Sequence, residues 1–138
     1  KTPPTVRDTC LCFHLQRAAR ALARIFDDAF RALDLTNGQF TLMISLSRVE
    51  ARPMGRIAAI LAMDRTTLTA ALKPLERRGL VAIAADVKDK RSRLVSLTPA
   101  GRALLAEALP IWRRTHAEVE KLVPGGADRL RADLRALS

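Results

Sequence analysis

Aromatic residues make up only 4% of the 138-residue chain, and tyrosine is absent altogether. Valine and isoleucine are also sparse, whereas alanine and leucine, strong helix formers, supply much of the 49% apolar share. A mainly α-helical protein follows. Cysteine is limited to Cys10 and Cys12, which lie too close in sequence for a routine structural staple. A disulfide framework within one subunit is thereby excluded, and the composition points to a reducing, cytosolic setting. No run of about 18–20 apolar residues is present to span a bilayer. No charged-then-apolar leader resembles a signal peptide. Catalytic signatures are missing as well. There is no nucleophile–base–acid constellation, no phosphate-cradling glycine loop, no histidine pair at metal-binding spacing, and no carboxylate pair beyond ordinary surface spacing. The sequence calls for no enzyme activity, cofactor or metal.

What is present in excess is positive charge. Twenty-four Lys and Arg against fourteen Asp and Glu leave a net +10. Arg52–Arg102 holds eleven basic and four acidic residues, a net +7, while the segments before and after it carry +2 and +1. A basic segment in a nearly neutral frame is the electrostatic footprint of an element that binds a polyanion. Charge alone is also met by an arginine-rich composition that serves solubility. The placement of these residues therefore decides.

Residues 1–8, with Pro3 and Pro4, read as an extended arm. From Thr9 to Leu33 the apolar positions Leu11, Leu15, Ala18, Leu22, Ile25, Phe26, Ala29, Phe30 and Leu33 recur at helical spacing, which predicts a long amphipathic first helix. Thr36 and Gln39 are spaced as a capping box for a second, very apolar helix over 37–48. A short third helix follows Pro53 and covers 54–61. Ala62-Met63 is a tight link, and Asp64 is an N-cap for a fourth helix over 65–78, ended by Gly79. Pro74 inside that helix should bend it. Residues 80–85 and 93–97 are the convincing strands, with a polar, charged hairpin tip over 86–92. Thr98-Pro99 starts a long helix to about Leu122. Pro124-Gly125-Gly126 breaks it, and 127–137 is a last short helix.

Helix, tight turn, helix, hairpin, helix is the order of a winged helix-turn-helix. A helix held rigidly by its predecessor can enter the DNA major groove, about 12 Å wide. Its exposed N-terminal face would carry Arg65, Thr66, Thr67, Thr69 and Lys73, with Leu68, Leu72 and Leu75 turned inward. Lys88, Lys90, Arg91 and Arg93 crowd the hairpin, and Asp89 is placed to hold one guanidinium in a fixed pose for a narrow minor groove. A solvated surface helix and a charged turn are the plain alternatives, but they give these residues no common target. Amphipathic terminal helices carrying Leu109, Ile111, Trp112, Val119, Leu122, Leu130, Leu134 and Leu137 call for a second subunit, and a two-fold dimer suits two half-sites about 34–36 Å apart.

Asp64-Arg65-Thr66-Thr67-Leu68-Thr69, followed by Leu72-Lys73-Pro74-Leu75-Glu76-Arg77-Arg78-Gly79-Leu80-Val81, resembles the recognition helix of MarR-type regulators. Asp89-Lys90-Arg91 with Leu94-Val95-Ser96-Leu97-Thr98-Pro99-Ala100-Gly101 is similar to that family's wing and the start of its next helix. The resemblance covers residues 9–137. It implies a homodimeric transcription regulator, of repressor type, that reads palindromic duplex DNA with its winged domains and whose affinity a small-molecule ligand or an oxidant tunes. Three parts follow: an arm and dimerisation helix (1–35), a winged DNA-binding domain (36–99) and dimerisation helices (100–138). Ala70 and Ala71 depart from the larger polar pair of many relatives, and Pro74 stands where Lys or Arg is common. A protein that coats DNA without sequence choice is thus a further reading.

Leu11-Cys12-Phe13 resembles the segment around the sensing cysteine of the family's organic-hydroperoxide branch, which implies oxidation of Cys12 to a sulfenic acid that releases DNA. That branch steadies its thiolate with tyrosines, and this chain has none. Arg17 and His14 are the nearby groups able to lower a thiol pKa. Two small cysteines packed at a dimer interface are the alternative. Cys10 and His14, four apart, would share a helix face, but they offer too few ligands for a metal.

Overall fold

The computed structural model describes residues 4–138. The elements in chain order are α1 (Pro4–Thr9), α2 (Leu11–Ala29), a 3-10 turn (Arg31–Leu33), α3 (Asn37–Ser45), β1 (Arg52–Pro53), α4 (Met54–Ile60), α5 (Arg65–Arg77), β2 (Val81–Ala85), β3 (Arg93–Leu97), α6 (Pro99–Glu120) and α7 (Ala127–Ala136). The starts of the central helices are fixed by side chains that take up otherwise free backbone donors. Thr36 Oγ1 accepts from the Gln39 N–H and Gln39 Oε1 accepts from the Thr36 N–H, each at 3.1 Å, a complete capping box. Asp64 caps α5 through the N–H and hydroxyl of Thr67, at 2.7 and 2.8 Å. Thr98 caps α6 by accepting from the Gly101 N–H at 3.1 Å. Its hydroxyl also donates to Gly79 O at 2.6 Å, and its N–H donates to Leu80 O at 3.1 Å. One threonine thereby joins the end of α5, the start of β2 and the start of α6.

The core is a single cluster that draws on α2, α3, α4, α5, both main strands and α6. Phe30 stacks on Phe40 with ring centroids 4.7 Å apart, and Met43, Ile57, Leu68, Leu72, Leu75 and Val95 are fully buried around them. The turn between α4 and α5 passes through Ala62 at φ 51°, a left-handed conformation that costs an alanine about 1–2 kcal/mol. The bond from Met63 N–H to Ala58 O at 2.9 Å closes it. At the far end of α5, Gly79 takes φ 72° and lets the chain turn into β2. The antiparallel sheet has the order β1-β3-β2, with Val81 opposite Leu97 and Ala85 opposite Arg93.

Several expectations are corrected. The extended arm is helical over the described Pro4–Thr9, because proline is well suited to the first position of a helix; residues 1–3 lie outside the described residues. The first long helix is divided by Cys10, whose φ of −67° and ψ of 115° are extended. The second helix stops at Ser45, three residues early, and Arg102 takes the exposed carbonyls of Ser47 and Arg48 at 3.3 and 2.8 Å. Arg52–Pro53 forms a third strand against Leu94 and Val95. α5 runs through Pro74 to Arg77. Of the apolar residues on the last two helices, Val119 is buried and Leu109, Ile111 and Trp112 pack on this chain's own core, whereas Leu122, Leu130, Leu134 and Leu137 stay exposed.

Candidate nucleic-acid interface

α5 is held from behind. Leu68, Leu72 and Leu75 are completely buried on one side, and helical spacing puts Thr66, Ala70, Lys73 and Arg77 along the opposite side, all of them exposed. Arg65, Thr67 and Thr69 flank that line and are exposed too. Arg77 is absent from the sequence-based reading, although its spacing of eleven from Thr66 was available to find it. The neighbouring Arg78 is not free for a ligand. Its guanidinium donates to Asp34 O at 2.6 Å and reaches Leu33 O at 3.4 Å, tying the end of α5 to the turn after α2. Asp64 does more than start the helix. The Thr67 N–H, and secondarily its hydroxyl, hold the Asp64 carboxyl below the usual carboxylate range. The cap contributes at neutral pH and is lost only as pH falls through that lowered value.

Burial falls along β2 from Val81 to the exposed Ala84 and Ala85, and rises along β3 from exposed Arg93 to Val95 and Leu97. The hairpin therefore projects away from the core, with 86–92 at its tip. Two carboxylates organise that tip. Asp86 Oδ1 accepts from the Lys88 N–H at 2.9 Å, and Asp89 Oδ1 accepts from the Arg91 N–H at 3.1 Å. Asp89 O accepts from Ser92 N–H at 2.9 Å. Asp89 thus grips the main chain of Arg91, not a guanidinium as its spacing suggested, because the tight loop brings the N–H two residues on within reach. Lys88, Lys90, Arg91 and Arg93 extend from this ordered loop, all exposed. Among the described residues, no basic side chain of α5 or the hairpin is in an ion pair.

The cysteines lie elsewhere, at the α1–α2 junction. Cys10 is half-buried and outside regular helix, while Cys12 is exposed in the first turn of α2. Gln16 Nε2 reaches Cys12 Sγ at 3.4 Å, and His14 Nδ1 faces Cys10 O at 3.2 Å. The side chain that meets the Cys12 sulfur is Gln16, neither Arg17 nor His14. Among the described residues, no three His, Cys, Asp or Glu side chains are grouped to hold a metal, and no helix is long and apolar enough to cross a membrane.

The arrangement agrees with known proteins. Residues 33–92 match the MarR family model. The transcriptional activatory protein BadR of Rhodopseudomonas palustris is 36% identical over 95 residues, a match covering 67% of this chain but only about half, 54%, of BadR. The organic hydroperoxide resistance transcriptional regulator of Bacillus subtilis is 31% identical over 101 residues, covering 73% of this chain and 69% of that protein. The structure of M. tuberculosis transcriptional regulator MosR in complex with DNA superposes with a TM-score of 0.85 at 40% identity, covering 93% of this chain and 92% of that one. A winged helix-turn-helix with these relatives, whose α5 and β2–β3 hairpin carry cations outside any ion pair among the described residues, identifies the chain as a member of the MarR family of transcription regulators.

Proposed function

We propose that the protein is a homodimeric, sequence-specific regulator, of repressor type, that binds a palindromic operator in the cytoplasm and acts by binding rather than catalysis. The observation that carries this reading is the pair of exposed cationic elements outside any ion pair among the described residues: α5, seated on the core through Leu68, Leu72 and Leu75, and the 86–92 wing, which projects from the core on the β2–β3 hairpin. Arg65, Thr66, Thr67, Thr69 and Lys73 face the major groove, with Arg77 added to that set. Lys88, Lys90, Arg91 and Arg93 reach the adjacent backbone and minor groove, and Asp89 positions Arg91. The segments 1–35 and 100–138 supply the dimer contacts around the winged part, 36–99. Exposed Leu11, Leu15, Leu22 and Ile25 on α2, with Leu130, Leu134 and Leu137 near the chain end, favour that role because apolar surface gains by leaving water. A cavity of about 240 Å³ lined by Phe40, Thr41, Ile44, Leu109 and Trp112 lies between α3 and α6, where a small apolar effector would bias the α5 position and release DNA.

Arg91→Ala tests the reading. It should weaken specific duplex binding by roughly 1–3 kcal/mol while leaving the dimer intact, and Asp89→Ala should give a smaller loss in the same direction. Titration against operator and random duplex at one salt concentration measures both. Unchanged affinity in Arg91→Ala excludes the hairpin as a DNA-binding wing. Operator selectivity well short of about 10³-fold favours a protein that coats DNA without sequence choice.

One observation favours a second signal, a redox one. Cys12 is exposed to solvent, and the Gln16 amide donates to its sulfur at 3.4 Å. A hydroperoxide would transfer one oxygen to the Cys12 thiolate, forming a sulfenic acid and leaving an alcohol. Mild organic hydroperoxide should then release DNA, thiol reductant should restore binding, and Cys12→Ser should ignore the oxidant. Unchanged DNA binding with both thiols fully modified sinks this signal and leaves the α3–α6 cavity as the sensor.

A further inference from the structure

The outward face of α5 is not uniformly polar. Arg65, Thr66, Thr69, Ala70 and Lys73 enclose a shallow notch of about 350 Å³ on the side away from the core. One of these residues, Thr69, presents less hydrogen-bonding capacity than a free threonine. The Thr69 hydroxyl donates to Arg65 O at 2.8 Å, so its proton is spent on its own helix. What Thr69 offers a ligand is a methyl group and the lone pairs of Oγ1. Ala70, exposed in the middle of the recognition line, offers only a methyl group. Arg65 and Lys73 stand at either end of the notch as cationic donors, and neither is in an ion pair among the described residues.

A methyl-lined notch between two cations has a natural counterpart in the major groove. Guanine, cytosine and adenine present only polar edges there, whereas thymine adds a 5-methyl group, which alanine and threonine methyls contact favourably. Resting on the regulator reading above, we infer that the notch is a thymine-methyl pocket: in each half-site Ala70 and Thr69 receive the 5-methyl of one thymine, and Arg65 and Lys73 hold the neighbouring phosphates or purine edges. Ala70 is then a specificity-determining residue. The small side chain that thins the recognition helix creates the space which does the reading.

The test uses the full chain and a duplex enriched by it from a random-sequence pool. Each thymine of the enriched site is replaced in turn by deoxyuridine, which removes only the 5-methyl and keeps base pairing. Loss of one buried methyl should weaken binding about fourfold at a single position of one half-site. The symmetric double replacement should cost about fifteenfold if the two half-sites contribute equally. In Ala70→Gln, which fills the notch from an exposed helix position, the methyl effect at that thymine should vanish and the enriched base should change. Thr69→Ser serves where Ala70→Gln binds no duplex. It keeps the hydroxyl able to reach Arg65 O and removes only the methyl, and the fourfold effect should shrink below twofold. An enriched site in which no thymine-to-deoxyuridine replacement weakens binding overturns the pocket while leaving the regulator reading intact. Methyl sensitivity retained by both variants overturns it too. If no sequence is enriched over the pool, the regulator reading fails and the pocket with it.

Discussion

Gly101→Ala is expected to destabilise the protein by about 2–3 kcal/mol, more than alanine at any other glycine of the chain. The reason is geometric. A Cβ at position 101 would lie 2.1 Å from Leu80 O, 3.1 Å from the Leu80 carbonyl carbon and 3.2 Å from Leu97 Cδ2. The first of these neighbours is backbone, and it already accepts the hydrogen bond from Thr98 N–H that anchors α6 to the start of β2. To admit the methyl, α6 must lift off the sheet, which strains that bond and the Thr98 hydroxyl bond to Gly79 O together. Alanine's better helix propensity returns at most about 1 kcal/mol. Gly55→Ala is the internal control, since nothing lies within 4 Å of a Cβ built there. It should be neutral or slightly stabilising. Urea unfolding at fixed protein concentration compares the two, and equal midpoints for Gly101→Ala and the unmodified chain would show that α6 adjusts freely at this point. DNA binding by Gly101→Ala should also fall, because α6 and the hairpin meet there.

Local signals were legible in the sequence and distant ones were not. Thr36 with Gln39, Asp64, Gly79 and Thr98 with Pro99 act on backbone groups within a few residues, so their spacing located the helix ends with little error. β1 escaped because two residues carry no periodicity; Arg52 and Pro53 are a strand only through their pairing with β3, more than forty residues on. Arg102 closing the end of α3, and Arg78 gripping Asp34, likewise join remote segments in a way that no pattern announces. Within the site, the cationic residues of α5 and the wing were readable from helical arithmetic and charge. The role of Asp89 was not. Whether a carboxylate takes a nearby guanidinium or the main-chain N–H two residues on depends on the loop backbone, and here the main chain is the closer donor. The division of the first helix at Cys10 was missed for a related reason. The helix break at Cys10 has no proline or glycine to mark it.

Salt should weaken the DNA complex steeply, with log K falling against log salt at a slope of about −5 to −9. If each winged domain neutralises three to five phosphates, the dimer displaces roughly six to ten counterions, and each contributes about 0.9 to the slope. The structure offers enough cations for this. Arg65, Lys73, Arg77, Lys88, Lys90, Arg91 and Arg93 are all exposed, and none is in an ion pair among the described residues. No internal carboxylate has to be abandoned when they meet DNA, so their charge is available in full. Raising salt from 50 to 200 mM should therefore lower affinity by about 10³–10⁵-fold. Single variants separate the roles of charge and shape. Lys90→Ala, if Lys90 meets a phosphate, should reduce the slope by about 2, because each subunit of the dimer then neutralises one phosphate fewer. It should weaken operator and random duplex alike. Ala70→Gln should change sequence preference and leave the slope where it was, since no charge is altered. A slope shallower than about −2 in the unmodified protein would mean that the +7 of Arg52–Arg102 does not face DNA, and the electrostatic basis for the interface would be gone.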